Sequence, residues 1–157
     1  MFGSKAHKDE VTVRRFIGAL NDRDVPEMAR MLHEDVEMVD SHGYTIRGRS
    51  NALKAIRRFM EIEDSFRLEA ASYVEHHGDI LITGRCSASD ERLARNRLWK
   101  MRASDGYMRR WQSFGPTDAP ALTRILVPEA TFEPDDSTPR RPDGAKPSVR
   151  AVNSALN

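Results

Sequence analysis

The chain has 157 residues, 39% of them hydrophobic and 31% charged, with 25 Lys and Arg against 24 Asp and Glu. That is about one domain's length, with no run near the ~18 apolar residues of a membrane span and no basic excess of the kind a dedicated nucleic-acid binder carries. The single cysteine, Cys86, excludes an intrachain disulfide, and the N-terminus is charged with no apolar run, which argues against a secretory leader; a cytoplasmic protein is expected.

Val13, Phe16, Ile17 and Leu20 fall at i, i+3, i+4 and i+7, one face of an amphipathic helix over about Asp9 to Asn21. Asp24 with Pro26 reads as an N-cap and first-turn proline, opening a short helix to about Leu32. Val36, Met38 and Asp40 then alternate with Glu37, Val39 and Ser41, the period of a strand. His42-Gly43 turns the chain into a second short strand, Tyr44 to Arg47. Ser50 is placed to cap a third helix with Leu53, Ile56, Phe59 and Met60 on its apolar face. Four strands follow: Phe66 to about His76, Ile80 to about Ser89, Leu93 to about Ala103, and Tyr107 to Phe114. The last two are joined by Asp105-Gly106, a strong hairpin signal.

Helices first and strands after predict an α+β fold: a cone-shaped, curved, antiparallel or mixed sheet packed on three N-terminal helices, with an open mouth lined by inward side chains. Seven of the eight prolines follow Gly115, and of the aromatic residues only Phe132 does. The domain is therefore expected to span residues 1–115. Residues 116–157 read as a proline-rich extension, largely disordered from about 133 because it has too little apolar surface to offset its ordering entropy. Between them, Ala121 to Val127 is apolar enough to lie along the domain or a partner subunit.

Asp40 shares the inward side of its strand with Val36 and Met38. A buried carboxylate is either paired or functional, because isolation there costs several kcal/mol. As a functional group it suits a general acid or base working in a cavity; as a structural one it closes the Ser41-His42-Gly43 turn. His42, two residues on, is a candidate proton shuttle or an exposed turn residue. Arg85 and Ser87 share a face with Leu81 and Thr83, and Arg97, Trp99 and Met101 share a face of the next strand. If these faces point inward, one or two guanidinium groups would hold an oxygen or anionic group, or one would pair with Asp40. In the last strand either Tyr107, Arg109, Trp111 and Ser113 face inward, or Met108, Arg110, Gln112 and Phe114 do; the first set is preferred. Phe16, Phe59, Trp99 and Trp111 supply apolar walls. Cys86, opposite Arg85, reads as a small packed residue. His76 and His77 point to opposite faces, and no His, Cys and acid set has zinc spacing, so no metal and no cofactor is expected. Seven basic residues lie between Arg92 and Arg110 with aromatics interleaved, but the near-neutral whole disfavours a nucleic-acid platform.

The stretches Val13 to Asp24, Met31 to Asp40, Gly48 to Leu53 and Asp105 to Trp111 resemble the nuclear transport factor 2-like superfamily, and within it the SnoaL-like and ketosteroid isomerase-like branch. The resemblance covers about residues 9–115. It implies the cone fold and a family that includes isomerases, dehydratases, polyketide cyclases, epoxide hydrolases and non-catalytic binders. Asp40 falls where ketosteroid isomerases keep their general base. Their oxyanion-hole tyrosine falls on Phe16 and their second acid near Arg97, so the usual donors are missing. The arginine of limonene epoxide hydrolase-like members falls on Arg85, but the acids that accompany it fall on Ser87 and on Gln112 or Ser113, so that triad is broken. The function expected is cofactor-free proton transfer on a cyclic or polyketide-like carbonyl compound, with Asp40 as base. The alternative is a non-catalytic module that binds a ligand or a protein partner. The expected partners are a small apolar or anionic ligand and a second copy of the chain, docked through the outer sheet face at Ile80 and Ile82.

Overall fold

The computed structural model describes residues 4–118 and 120–134. Helix α1 (Lys5–Asn21) starts earlier than the apolar periodicity alone indicates, because the Ser4 hydroxyl accepts the His7 amide and caps it. Helix α2 (Val25–Met31) is capped by Asp24, whose side chain accepts the Glu27 amide, with Pro26 in the first turn. Strand β1 (Leu32–Val39) pairs antiparallel with β2 (Thr45–Arg47). Helix α3 (Arg49–Ile62) opens from Gly48 with no side-chain cap, so the expected Ser50 cap is not used.

Strands β3 (Arg67–His76), β4 (Asp79–Ser87), β5 (Leu98–Ser104) and β6 (Tyr107–Phe114) form an antiparallel meander. The β5–β6 turn takes left-handed backbone at both Asp105 (φ 54°) and Gly106 (φ 84°), the geometry that an Asp-Gly pair adopts readily. β6 then lies parallel to β1, giving the sheet order β3-β4-β5-β6-β1-β2, with a seventh strand, β7 (Thr131–Phe132), beyond β2. The sheet curves around the helices to make the α+β cone, with Phe16, Met28, Val36, Leu68, Ile82, Trp99 and Met101 in its core.

Three expectations need correction. The sheet does not stop near residue 115: after a short helix α4 (Leu122–Leu126), strand β7 (Thr131–Phe132) pairs with β2 and forms an edge of the sheet. The apolar run at 121–127 thus folds back on its own domain, where Leu126 and Val127 are buried against Ile46 and Ala55. The part of the disorder expectation from residue 135 onward lies outside the described residues.

Ile80 and Ile82 do not form an outer patch. They are 1% and 0% exposed and belong to the core beneath the helices. The inward face of β4 is therefore Ile80, Ile82 and Cys86, which turns Arg85 and Ser87 outward.

In β6 neither candidate face is inward throughout. Ala103 pairs with Met108 and Arg102 with Arg110, so Arg109 is an extra residue, a bulge that shifts the alternation by one. Met108 is buried before it, and Trp111 and Ser113 face the interior after it.

Candidate functional site

The open end of the cone holds a cavity of about 140 Å³. Helix α1 contributes Phe16 and Leu20; α3 contributes Ile56, Phe59 and Met60; β5 and β6 contribute Trp99 and Trp111. The walls are mainly apolar and aromatic, with Phe16 and Trp111 in edge contact at 5.8 Å between ring centroids and Phe59 and Phe66 at 5.2 Å. Pro120, Leu122 and Leu126 complete the wall from the C-terminal segment.

The polar groups gather where β1 and β6 end. Asp40 follows the last residue of β1. Met38 pairs with Trp111 and Val39 with Gln112, so the next step of that register brings Ser113 level with Asp40. The Ser41 hydroxyl lies 3.2 Å from Asn96 Oδ1, and the Trp111 indole N–H donates to Ser113 Oγ at 3.2 Å. Asp40, Ser41, Asn96 and Ser113 all line the cavity.

Asp40 is 8% exposed, and both of its carboxylate oxygens are occupied by donors from its own chain. Oδ1 accepts the amides of His42 (2.9 Å) and Tyr44 (3.1 Å), closing the turn after β1. Oδ2 accepts the amide (3.2 Å) and the hydroxyl (2.7 Å) of Thr123, tying α4 to the end of β1. Four donors fill the roughly four lone-pair sites of a carboxylate. The side chain thus has the turn-closing role open to a strand-end Asp, and it borders the cavity as well.

Of the residues singled out from sequence, Asp40, Phe16, Phe59, Trp99 and Trp111 meet around this cavity. Arg85, Ser87 and Arg97 do not. The Arg85 side chain is 76% exposed and pairs with Glu69 at 3.1 Å. Ser87 is exposed on the same outward face. Arg97 precedes β5, in a loop that follows a single turn of 3-10 helix over Glu91–Ala94, and its guanidinium donates to the Ala94 and Asn96 carbonyls. Strand alternation does not apply to a residue outside the strand. His42 lies beside the cavity wall rather than in it; its amide holds Asp40, and its ring centroid is 6.3 Å from that of Tyr44.

Sequence reasoning missed Asn96, Leu122, Leu126 and Thr123. The signal for the last three was the apolar run from Ala121 to Val127; Asn96 carried none. It also missed Glu63, a carboxylate only 1% exposed. Burial works against its ionisation, but hydrogen bonds from Ser89 and Ser65 outweigh burial and hold its pKa down at about 2. Among the described residues, no group of three His, Cys, Asp or Glu side chains could hold a metal ion, and no helix is long and apolar enough to cross a membrane.

The SnoaL-like domain model matches residues 13–110, well over half of the chain. The chain belongs to the SnoaL-like domain family. Its cone is the nuclear transport factor 2-like fold, and three solved structures with low sequence identity share it. An LEH-like epoxide hydrolase from M. tuberculosis is 17% identical with a TM-score of 0.59, covering 74% of this chain and 93% of its own. TerC, co-crystallised with polyporic acid, is 18% identical with a TM-score of 0.60, covering 80% and 99%. An NTF2-like protein from Burkholderia xenovorans is 16% identical with a TM-score of 0.57, covering 79% and 99%. At such identities the likeness establishes the fold alone. No curated protein matches the sequence.

Proposed function

We propose that this SnoaL-like domain binds a small, neutral, mostly apolar compound of about one ring, held with its polar group toward Asp40, Ser41, Asn96 and Ser113. The observation that carries this reading is the cavity: about 140 Å³, aromatic on its walls and polar at one end. An apolar cavity of ~150 Å³ accommodates benzene, and a few placed polar groups in an apolar wall are what orients a ligand. Neutrality follows from charge. Arg85 and Arg97 are turned away, Arg92 at the cavity wall is already paired with Asp90 at 2.7 Å, and an anion would meet the Asp40 carboxylate. TerC, co-crystallised with polyporic acid, gives a precedent for a small organic ligand on this fold.

A second reading, proton transfer of the isomerase, cyclase or dehydratase type with Asp40 as general base, is favoured by the position of that carboxylate in the cavity wall. Asp40 would take a proton from the carbon beside a carbonyl, and the charge moved to the carbonyl oxygen would meet neutral polar groups in Ser41, Asn96 and Ser113. A donor now on Asp40 has to leave first, and for that reason binding is the primary reading.

A screen of neutral one-ring compounds, followed by protein NMR and by the fluorescence of Trp99 and Trp111, tests both. Binding that perturbs the Trp99 and Trp111 side chains, and is lost in Phe59→Trp, which fills the cavity, is the expected result. Ligands that shift only residues outside the cone would overturn it. Conversion of a bound carbonyl compound by the wild type and not by Asp40→Asn would establish the second reading.

A further inference from the structure

At the polar end of the cavity the side chains keep hydrogens to spare, while their acceptors are in use. Both oxygens of Asp40 already carry two donors each. Asn96 Oδ1 takes the Ser41 hydroxyl at 3.2 Å, and the hydrogen of that bond comes from the serine, because a carbonyl oxygen only accepts. This spends the Ser41 hydrogen and leaves the Asn96 N–H₂ without an acceptor among the described residues. Trp111 and Ser113 stand two apart on the inward side of β6, so the indole reaches along the strand to Ser113 Oγ at 3.2 Å. An indole N–H is a donor only. The serine oxygen is therefore the acceptor of that bond, and its own hydrogen has no acceptor among the described residues. Arg92, at the wall, donates to Asp90 and as a guanidinium accepts nothing. An N–H or O–H left unpaired is rare inside a protein, whereas an oxygen with one lone pair unused is ordinary.

We propose that Ser113 selects the ligand: the cavity takes one-ring compounds whose polar group accepts a hydrogen bond, a carbonyl oxygen above all, seated on the Ser113 O–H with Trp111 as the positioning residue behind it. The inference rests on the reading of the cavity as a small-molecule site and narrows its ligand class from neutral compounds to neutral acceptors. Ser113 lines the cavity, and no group of the protein has to leave to admit such a ligand. A carbonyl oxygen takes the Ser113 hydrogen and brings none of its own that needs an acceptor. A ring without an acceptor leaves that hydrogen unpaired and shut off from water, which is the costlier state. The Trp111 N–H fills one side of the serine oxygen, which turns the O–H away from the indole, and a hydroxyl that accepts one hydrogen bond donates a stronger one.

The test uses the full chain and two probes of one shape, cyclohexanone and methylenecyclohexane, which differ only in an oxygen against a CH₂ group. Dissociation constants are measured for the wild type and Ser113→Ala, and again with Trp111→Phe added to each. The second pair decides, because an indole N–H that has lost Ser113 is free to serve the ketone itself. In that pair Ser113→Ala is expected to weaken cyclohexanone about three- to tenfold, as the loss of one hydrogen bond predicts, and not to weaken methylenecyclohexane. An equal change for the two probes, or none for the ketone, overturns the proposal and leaves the cavity reading standing. Failure of both probes to bind the wild type overturns the cavity reading, and this inference with it. Should a variant fail to fold or to bind, the infrared spectrum of cyclohexanone on the wild type decides: its C=O stretch must lie below the frequency it has in an alkane solvent, and an unlowered stretch overturns the proposal.

Discussion

Ser89 gives Glu63 both its amide, 3.1 Å from each carboxylate oxygen, and its hydroxyl, 2.7 Å from Oε1. Ser65 does the same from the other side, with its amide at 3.0 Å and its hydroxyl at 2.8 Å from Oε2. The end of α3 is thereby clamped to the loop after β4, which carries Arg92, Leu93 and Asn96 into the cavity wall.

The clamp makes stability depend on pH in a defined window. The pKa of Glu63 lies at about 2 in the folded chain, below the ordinary 4.5. The folded state therefore binds its proton less readily than the unfolded state does. The stabilisation is complete above about pH 4.5 and is lost as pH falls toward 2. Urea midpoints taken from about pH 6 down to about pH 3 should fall for the wild type. In Glu63→Gln the fall should be shallower, and stability at neutral pH should be lower by about 2 kcal/mol, because the new amide N–H₂ faces buried donors. Parallel pH profiles for the two proteins would contradict this account.

Asp40→Asn should lose about 2 kcal/mol or more in urea unfolding, whatever it does to ligand binding. Whichever way the asparagine amide turns, its N–H₂ faces two donors: the His42 and Tyr44 amides on one side, or the Thr123 amide and hydroxyl on the other. Buried donors left without acceptors carry that cost. Unchanged stability would mean that the turn and α4 do not depend on this carboxylate.

Much of the cone was legible from apolar periodicity. Val13, Phe16, Ile17 and Leu20 gave α1 its buried face, and Asp105-Gly106 marked the β5–β6 turn. What failed was strand parity. Alternation says that Ile82 and Arg85 face opposite ways without saying which faces in, and the resemblance to an arginine-bearing relative pointed to the wrong side. Ile80, Ile82 and Cys86 against a face whose one apolar residue is Leu81, beside Thr83, Arg85 and Ser87, would have decided it, since apolar burial at ~25 cal/mol per Å² outweighs anything a lone guanidinium gains in an apolar cavity. The bulge at Arg109 hid the face of β6, because one extra residue exchanges the two sides midway. The Asp40–Thr123 contact spans 83 residues, and no local pattern carries it.

Gly84 sits with its backbone close against that of β3. A Cβ built there would lie 2.2 Å from the Glu69 carbonyl oxygen and 2.9 Å from Ala70 Cα, both backbone atoms. The register of the two strands shifts just beyond, between Ala70 and Ser72. Gly84→Ala must push β3 away from β4, and a loss of about 1–3 kcal/mol in urea unfolding is expected, the range of overpacking. The change concerns packing between backbones, so Gly84→Ser should lose at least as much; a neutral serine variant would refute the close approach.

Arg85→Ala separates the two sides of the sheet. If the guanidinium held a ligand, its removal would weaken binding by tenfold or more, as expected for a lost charge-assisted contact. On the outer face its partner is Glu69, itself half exposed. An exposed pair of this kind contributes about 0–1 kcal/mol and is screened by salt. Arg85→Ala should therefore leave the affinity for a one-ring ligand unchanged and shift the urea midpoint only slightly, less still in 0.5 M salt, where about 4 Å of screening length remains. Trp111→Ala, on the inner face, should weaken the same ligand sharply. Equal losses in the two variants would put Arg85 back among the ligand contacts and reverse the orientation of β4 on which the candidate site is built.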